Sequence, residues 1–168
     1  MYRLNLPFTP SPHFTWDELT IRGGIDGVDL PHLTDPIRAR LIRIAAIAEA
    51  IRMDVGKPVH VTSGFRHGDP RQHGAGQAMD IQVEGMSPLD LIGRIHRLHS
   101  TKRLPHPLRQ VGAETRQGTA ALSKPMVRKE PRWVHMAGFG LDGEPFDEPS
   151  TTPWFTSADG KTYLRWSP

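Results

Sequence analysis

Three polar residues in or beside apolar runs are the part of this sequence best suited to chemistry. Asp80 follows His73 by seven residues and stands in the run Ala78-Met79-Asp80-Ile81, and His135 stands in Trp133-Val134-His135-Met136. A carboxylate in an apolar run is costly to bury unless it is paired or coordinated. The chain has no cysteine, so a metal ion would have to be held by His, Asp or Glu. The pattern therefore predicts a metal site made of two imidazoles and one carboxylate.

Zinc is the metal that this ligand set favours. Zinc binds His nitrogen and Asp oxygen, and three protein ligands leave a fourth position for water, which the ion acidifies so that it can attack a carbonyl. The predicted chemistry is therefore hydrolysis. The simpler alternative is that the buried His and Asp side chains only hydrogen-bond each other, since a single histidine is more often a surface or core residue than a ligand.

The segments around these residues follow helix and strand patterns. Apolar residues recur at spacings of three and four between Asp35, which is predicted to cap a helix, and Gly56, before which the helix ends. A second helix is predicted to begin at Ser87 and to run to about His99. Short β-branched or apolar runs predict strands at 58–62, 79–83, 108–113 and 132–136.

Both ends of the chain are predicted to be irregular. Residues 1–30 contain Pro and Gly too often for a long element and are interpreted as an arm with one short turn at 16–20. Residues 138–168 are interpreted as a surface wrap that aromatic side chains anchor, namely Trp154, Phe155 and Trp166. Helices that precede and interrupt short strands predict an α+β fold, and the length predicts a single domain over 1–168.

Composition and charge exclude several classes of function. Lys and Arg number 21 against 18 acidic residues, and apart from a loose group between Arg94 and Arg109 they are scattered, which favours a solvated face over a polyanionic partner. No nucleic-acid-binding motif is present. The sequence also lacks an apolar run of membrane-spanning length and a signal-peptide pattern at residues 1–12. We therefore expect a monomer without a membrane span or a nucleic-acid partner, synthesised in the cytoplasm.

Several motifs occur in an order that resembles a known enzyme family. Ser63-Gly64-Phe65-Arg66, the segment from His73 to Asp80 and Trp133-Val134-His135 together resemble the signature of the zinc D-alanyl-D-alanine carboxypeptidases, peptidase family M15. Phage endolysins and L-alanyl-D-glutamate endopeptidases are related to this family. Residues 14–20 resemble one of its branches, so the likeness spans 14–135. The resemblance implies a small α+β domain with a central antiparallel sheet at the metal, flanked by helices, and cleavage of peptidoglycan stem peptides.

The resemblance also implies roles for individual residues. His73, Asp80 and His135 match the three zinc ligands of the family. Arg66 matches an arginine that anchors a substrate carboxylate or the developing oxyanion, a role that suits the planar guanidinium; the other interpretation is a turn residue that stabilises a nearby carboxylate. Ser63 is expected to shape the turn or to contact the substrate.

Two departures from the family pattern affect the predicted mechanism. The loop between Arg66 and His73 is shorter than is usual, which would open the cleft or change which peptide enters. The family commonly has an acidic general base three residues before the last ligand, where this chain has Arg132, which cannot accept a proton. Glu130 is the nearest carboxylate in sequence and is the predicted base. The alternatives are Glu114, Asp69 and His67.

Two hypotheses follow. The first is a zinc peptidase that acts on peptidoglycan at the cell wall, either as a phage lysin, free or carried in a virion, or as a bacterial protein. The second is a zinc-containing module that binds cell-wall peptide without cutting it, as the related Hedgehog signalling domain illustrates for this fold.

Overall fold

A computed structural model of the chain describes residues 11–114 and 132–138, together with the backbone of residues 154–157 and 164–165. The helices are α1 (Trp16–Leu19), α2 (Asp35–Val55) and α3 (Pro88–Ser100), with a 3-10 turn at Leu30–His32. The strands are β1 (Val59–Ser63), β2 (Ala78–Val83), β3 (Leu108–Glu114), β4 (Trp133–Gly138), β5 (Trp154–Ser157) and β6 (Leu164–Arg165). This arrangement confirms the predicted α+β fold. None of the described helices is long and apolar enough to cross a membrane.

The two long helices lie where the sequence predicted them. Gly56 ends α2 in the left-handed conformation, with φ 65°, which a glycine adopts without steric cost. Ser87 caps α3, since its hydroxyl accepts a hydrogen bond from the Asp90 backbone N–H at 3.1 Å. The predicted cap of α2 was wrong by one residue. Thr34 has an extended backbone and occupies the cap position, and helical geometry begins at Asp35.

All six strands form one sheet in the order β1-β2-β4-β3-β5-β6. The pairs β1–β2, β2–β4 and β4–β3 are antiparallel, and β2 and β4 are neighbours within the sheet. Strand β5 runs parallel to β3, and β6 is antiparallel to β5. These two short strands lie in the stretch interpreted as a surface wrap, and the sequence did not predict them. These strands form because β5 pairs with the free edge of β3 and β6 pairs with β5. A pattern of two to four residues is too short to predict such pairing.

Alternation along the strands gives the sheet a core face and a site face. Side chains of successive strand residues point to opposite faces, and residues paired across strands share a face. The core face packs against α2 and α3 through apolar side chains, among them Val59, Val61, Met79, Ile81, Val111, Val134 and Met136. On the opposite face, here called the site face, Asp80 of β2 lies opposite His135 of β4, and His135 lies opposite Gly112 of β3.

An irregularity in β1 brings a further polar residue to the site face. Val61 pairs with Ile81 on the core face, but the next paired residue is Ser63, opposite Asp80. Strict alternation would have put Ser63 on the same face as Val61. The extra residue, Thr62, reverses that orientation, as a β-bulge does.

Part of the basic group between Arg94 and Arg109 surrounds a buried carboxylate. Asp54 of α2 has a side chain only 9% exposed, and it lies 3.7 Å from Arg94, 3.8 Å from Arg97 and 3.2 Å from Arg103. These ion pairs tie the end of α2 to α3 and to the segment that follows α3. They give these three arginines a structural role that does not require a polyanionic partner.

Candidate metal centre

The structure brings His73, Asp80 and His135 together. Each residue offers one ligand atom, and these three atoms lie within 4.8 Å of one another. All three residues are buried, with exposures of 6%, 5% and 8%. Two ligands come from the neighbouring strands β2 and β4, and His73 comes from the loop between β1 and β2. This group could hold a metal ion.

The interatomic distances show which atoms of the three side chains face one another. Oδ1 of Asp80 lies 2.8 Å from Nδ1 of His135 and 3.3 Å from Nε2 of His73. The two imidazoles therefore approach the carboxylate through different ring nitrogens. Two nitrogens and one carboxylate oxygen form a donor set that zinc accepts.

Each of the three residues is also held by a partner on its far side. Nδ1 of His73 donates to the Gly64 carbonyl at 2.7 Å, and Oδ2 of Asp80 accepts from Arg66 at 3.0 Å. Nε2 of His135 lies 3.1 Å from Oε1 of Gln72. Metal-bound histidines and carboxylates usually have such outer partners, which orient the ligand and fix the histidine tautomer. The residues present therefore fit a metal ion with two histidine ligands and one aspartate ligand.

Glycines shape the loop that carries His73. A Cβ atom at Gly74 would lie 1.7 Å from the Asp69 carbonyl oxygen, and one at Gly76, which has φ 71°, would lie 3.0 Å from the Ile37 side chain. Neither position accepts a side chain without moving the backbone. Backbone hydrogen bonds from Arg66 to His73 and from Gln77 to Gln72 close the loop.

The N-terminal arm supports the same loop from outside the sheet. The Gly64 N–H donates to the Ile21 carbonyl at 3.1 Å, and the Phe65 N–H donates to the Leu19 carbonyl at 2.8 Å. These bonds fix the Gly64 carbonyl that accepts from His73. The stretch interpreted as an irregular arm thus helps to position a predicted ligand.

We expect Gly64→Ala to destabilise the protein and weaken metal binding. The new Cβ would lie 2.0 Å from the Leu19 carbonyl oxygen, so the arm or the loop must shift. Overpacking of this kind typically costs about 1–3 kcal/mol. Denaturant unfolding and metal titration measure the two effects.

Gly138→Ala is the matched control for Gly64→Ala, because its Cβ would make only van der Waals contact with Ile44 at 3.7 Å. Equal behaviour of the two variants would contradict the close approach.

Burial and charge shift the pKa values of two of these residues in opposite directions. Burial by itself would raise the pKa of Asp80, but hydrogen bonds and charge from His135 and His73 hold it well below its usual range. Burial by itself would lower the pKa of His135, but its hydrogen bond and ion pair with Asp80 raise it. Both nitrogens of His135 face oxygen atoms, which favours the doubly protonated ring.

Metal binding by the chelator-treated protein, tested with zinc, should therefore release protons. His135 must lose a proton to coordinate, and its pKa lies above the ordinary value of 6.5. Below that raised pKa we expect release of about one proton per zinc and an affinity that rises with pH. Calorimetry in buffers of different ionisation enthalpy counts the protons. Well above the raised pKa the release should disappear, and an affinity that does not change with pH would contradict the assignment.

Arg66 contacts the buried carboxylate and the turn. Its Nε donates to Oγ of Ser63 at 2.7 Å, its second terminal nitrogen donates to Asp80, and its first lies 3.8 Å from Asp69. The structure thus places Arg66 and Ser63 as supports of Asp80. Substrate binding by Arg66 or Ser63 stays a prediction.

The candidate general bases lie in different places. Glu130 lies outside the described residues. Asp69 accepts the Arg71 backbone N–H and lies near Arg66, while His67 stacks on His32 with 3.8 Å between ring centroids. Neither arrangement brings a free proton acceptor into hydrogen-bonding distance of the three candidate ligands.

Glu114 is different, because it lies on the site face. It pairs with Trp133 on β4, two residues along from the Gly112–His135 pair. Burial raises the pKa of Glu114, the positive charge of His135 opposes that rise, and the negative charge of Asp80 adds to it. A half-buried carboxylate on the same face as the ligands, with its pKa raised by burial, suits a proton acceptor.

The chain was also compared with known proteins. No protein-family model, curated protein or solved structure matches it. The resemblance to the zinc carboxypeptidases thus stays a prediction that rests on the motifs themselves.

The sequence did not identify two of the outer partners. Gly64 acts through its carbonyl, which any residue has, and Gln72 precedes His73 but contacts His135, which is 63 residues away. Only the adjacency of Gln72 to a predicted ligand could have drawn attention to it.

Proposed function

We propose that this chain is a zinc-dependent peptidase that hydrolyses peptide bonds in peptidoglycan stem peptides. The observation that supports a hydrolytic metal site is the convergence of two imidazoles and one carboxylate, all buried and each with its own outer partner. Three protein ligands are typical of catalytic rather than structural zinc sites. The motif resemblance supports the peptidoglycan substrate.

His73, Asp80 and His135 would hold the ion through Nε2, Oδ1 and Nδ1. When bound, zinc supplies Lewis acidity, which polarises a carbonyl and makes water a nucleophile near neutral pH. Arg66 keeps Oδ2 of Asp80 paired, so that Oδ1 stays directed at the two histidines. The Arg66 side chain is 32% exposed, and its guanidinium could also bind a substrate carboxylate.

The proposed hydrolysis needs a general base that accepts the proton of the attacking water. Glu114 is the described residue best placed for this role, since it shares the site face with Asp80 and His135. Glu130, which the sequence predicted, stays a second candidate. Burial keeps the Glu114 pKa above its ordinary value, which brings it nearer to the pH at which a base is most effective.

The second candidate function is a zinc-containing module that binds cell-wall peptide without cutting it. The observation in its favour is Arg132, at the position where the resembled family has its base. Arg132 is exposed, its backbone N–H donates to the Glu114 carbonyl at 2.7 Å, and its own carbonyl accepts from Gln82 at 2.6 Å. These bonds give Arg132 a structural place next to Glu114 and no proton-accepting role.

Digestion of purified peptidoglycan and defined muropeptides tests the proposal. The zinc-loaded protein should generate new amino termini, the chelated protein should not, and added zinc should restore cleavage. Mass spectrometry of the products identifies the bond and distinguishes terminal from internal cuts. Zinc-loaded, folded protein that binds muropeptides without product would reject the peptidase and support the binding module.

A further inference from the structure

The ring of His135 lies between two oxygen atoms. Nδ1 is 2.8 Å from Oδ1 of Asp80, and Nε2 is 3.1 Å from Oε1 of Gln72. An amide oxygen only accepts hydrogen bonds. The ring nitrogen that faces Gln72 must therefore carry a hydrogen atom for this contact to be favourable.

From this geometry we infer that Gln72 is a positioning residue that fixes the tautomer of His135, so that the ring binds the metal ion through Nδ1. A neutral imidazole has one N–H and one lone pair. When the doubly protonated ring loses one proton on metal binding, Gln72 keeps the hydrogen on Nε2, so the lone pair forms on Nδ1, which faces Oδ1 of Asp80. This inference rests on the zinc site of the proposed function.

His73 has the opposite arrangement. Its Nδ1 donates to the Gly64 carbonyl at 2.7 Å, and its Nε2 lies 3.3 Å from Oδ1 of Asp80. The two histidines would therefore bind one ion through different nitrogens. Coordination through Nε2 of His135 would require Gln72 to move away and the ring to turn from Asp80.

A single loop provides the outer partners of all three ligands. Gly64, Arg66 and Gln72 lie between β1 and β2 in the same loop as His73, and they hold His73, Asp80 and His135 respectively. The Gln77 N–H donates to the Gln72 carbonyl at 2.9 Å, which fixes the backbone of Gln72. Gln72 thus connects this loop to β4, which contributes His135, the ligand farthest from the loop along the chain.

Nitrogen NMR of the zinc-loaded wild-type protein tests the tautomers directly. We expect His135 to show a metal-bound Nδ1 and a protonated Nε2 whose hydrogen exchanges slowly with solvent, and His73 to show the reverse. Zinc-bound Nε2 in His135 would overturn the inference. Wild-type protein that binds no zinc would instead refute the site and the proposed function, so the two failures are distinguishable.

Variants of Gln72 measure how much the contact contributes. Gln72→Leu removes the acceptor at similar volume and should weaken zinc binding about 10–100-fold in competition with a chromogenic chelator. Gln72→Glu keeps an acceptor and should restore wild-type affinity together with the slow Nε2–H signal. Gln82→Leu is the control, since its amide contacts only the Arg132 carbonyl among the described residues. Equal affinity of wild type and Gln72→Leu would overturn the inference.

Discussion

His73→Ala should leave a folded protein that retains no zinc after dialysis, where the wild type retains about one ion per chain. The substitution removes one of three ligands and leaves only Asp80 and His135, which face each other at 2.8 Å. Loss of an outer partner typically weakens metal binding about 10–100-fold, so loss of a ligand should exceed that range. Peptidoglycan cleavage should fall to background with the metal.

Elemental analysis of the dialysed protein and a muropeptide assay measure both effects. His60→Ala is the matched control, because His60 is an exposed imidazole on β1 and not one of the candidate ligands. It should keep the zinc and the activity. A wild-type protein that is fully folded and free of zinc would refute the metal centre.

The second large effect is expected from Glu114→Gln, which keeps the shape of the side chain but removes its ability to accept a proton. We expect the cleavage rate to fall about 10²–10⁴-fold while the zinc content stays at the wild-type level. The reason is the position of Glu114 on the site face, two residues along β3 from Gly112, which pairs with His135. Rates on a defined muropeptide, with zinc measured in the same samples, separate loss of the base from loss of the metal.

The pH dependence gives an independent check. A general base works only when deprotonated, so wild-type activity should fall as the pH drops through the raised pKa of Glu114. That acidic limb should shift or vanish in Glu114→Gln. Glu130→Gln is the paired variant. A rate loss in Glu130→Gln with an active Glu114→Gln would reject Glu114 and assign the base to Glu130, as the sequence predicted.

Regular elements and their faces could be predicted because local patterns determine them. The spacing of apolar residues identified α2 and α3 to within one or two residues, and the short β-branched runs identified β1 to β4. The same reasoning missed β5 and β6. Strands of four and two residues have too few side chains to show alternation, and they exist through pairing with β3 and with each other.

The candidate ligands could be predicted from local sequence, because a carboxylate or an imidazole inside an apolar strand must be compensated where it is buried. Asp80 and His135 both stand in such apolar strands. Their placement opposite each other follows from the antiparallel pairing of β2 with β4, which no local pattern specifies.

The contacts that support those ligands form only when the chain is folded, and no local pattern predicts them. The bulge at Thr62 turns Ser63 toward Arg66, the arm fixes the Gly64 carbonyl, and Gln72 reaches a ring on another strand. The types and spacing of these residues give no indication in the sequence that they are in contact. Hydrogen bonds depend on distances of about 3 Å and on direction, and folding sets both between residues far apart in the chain.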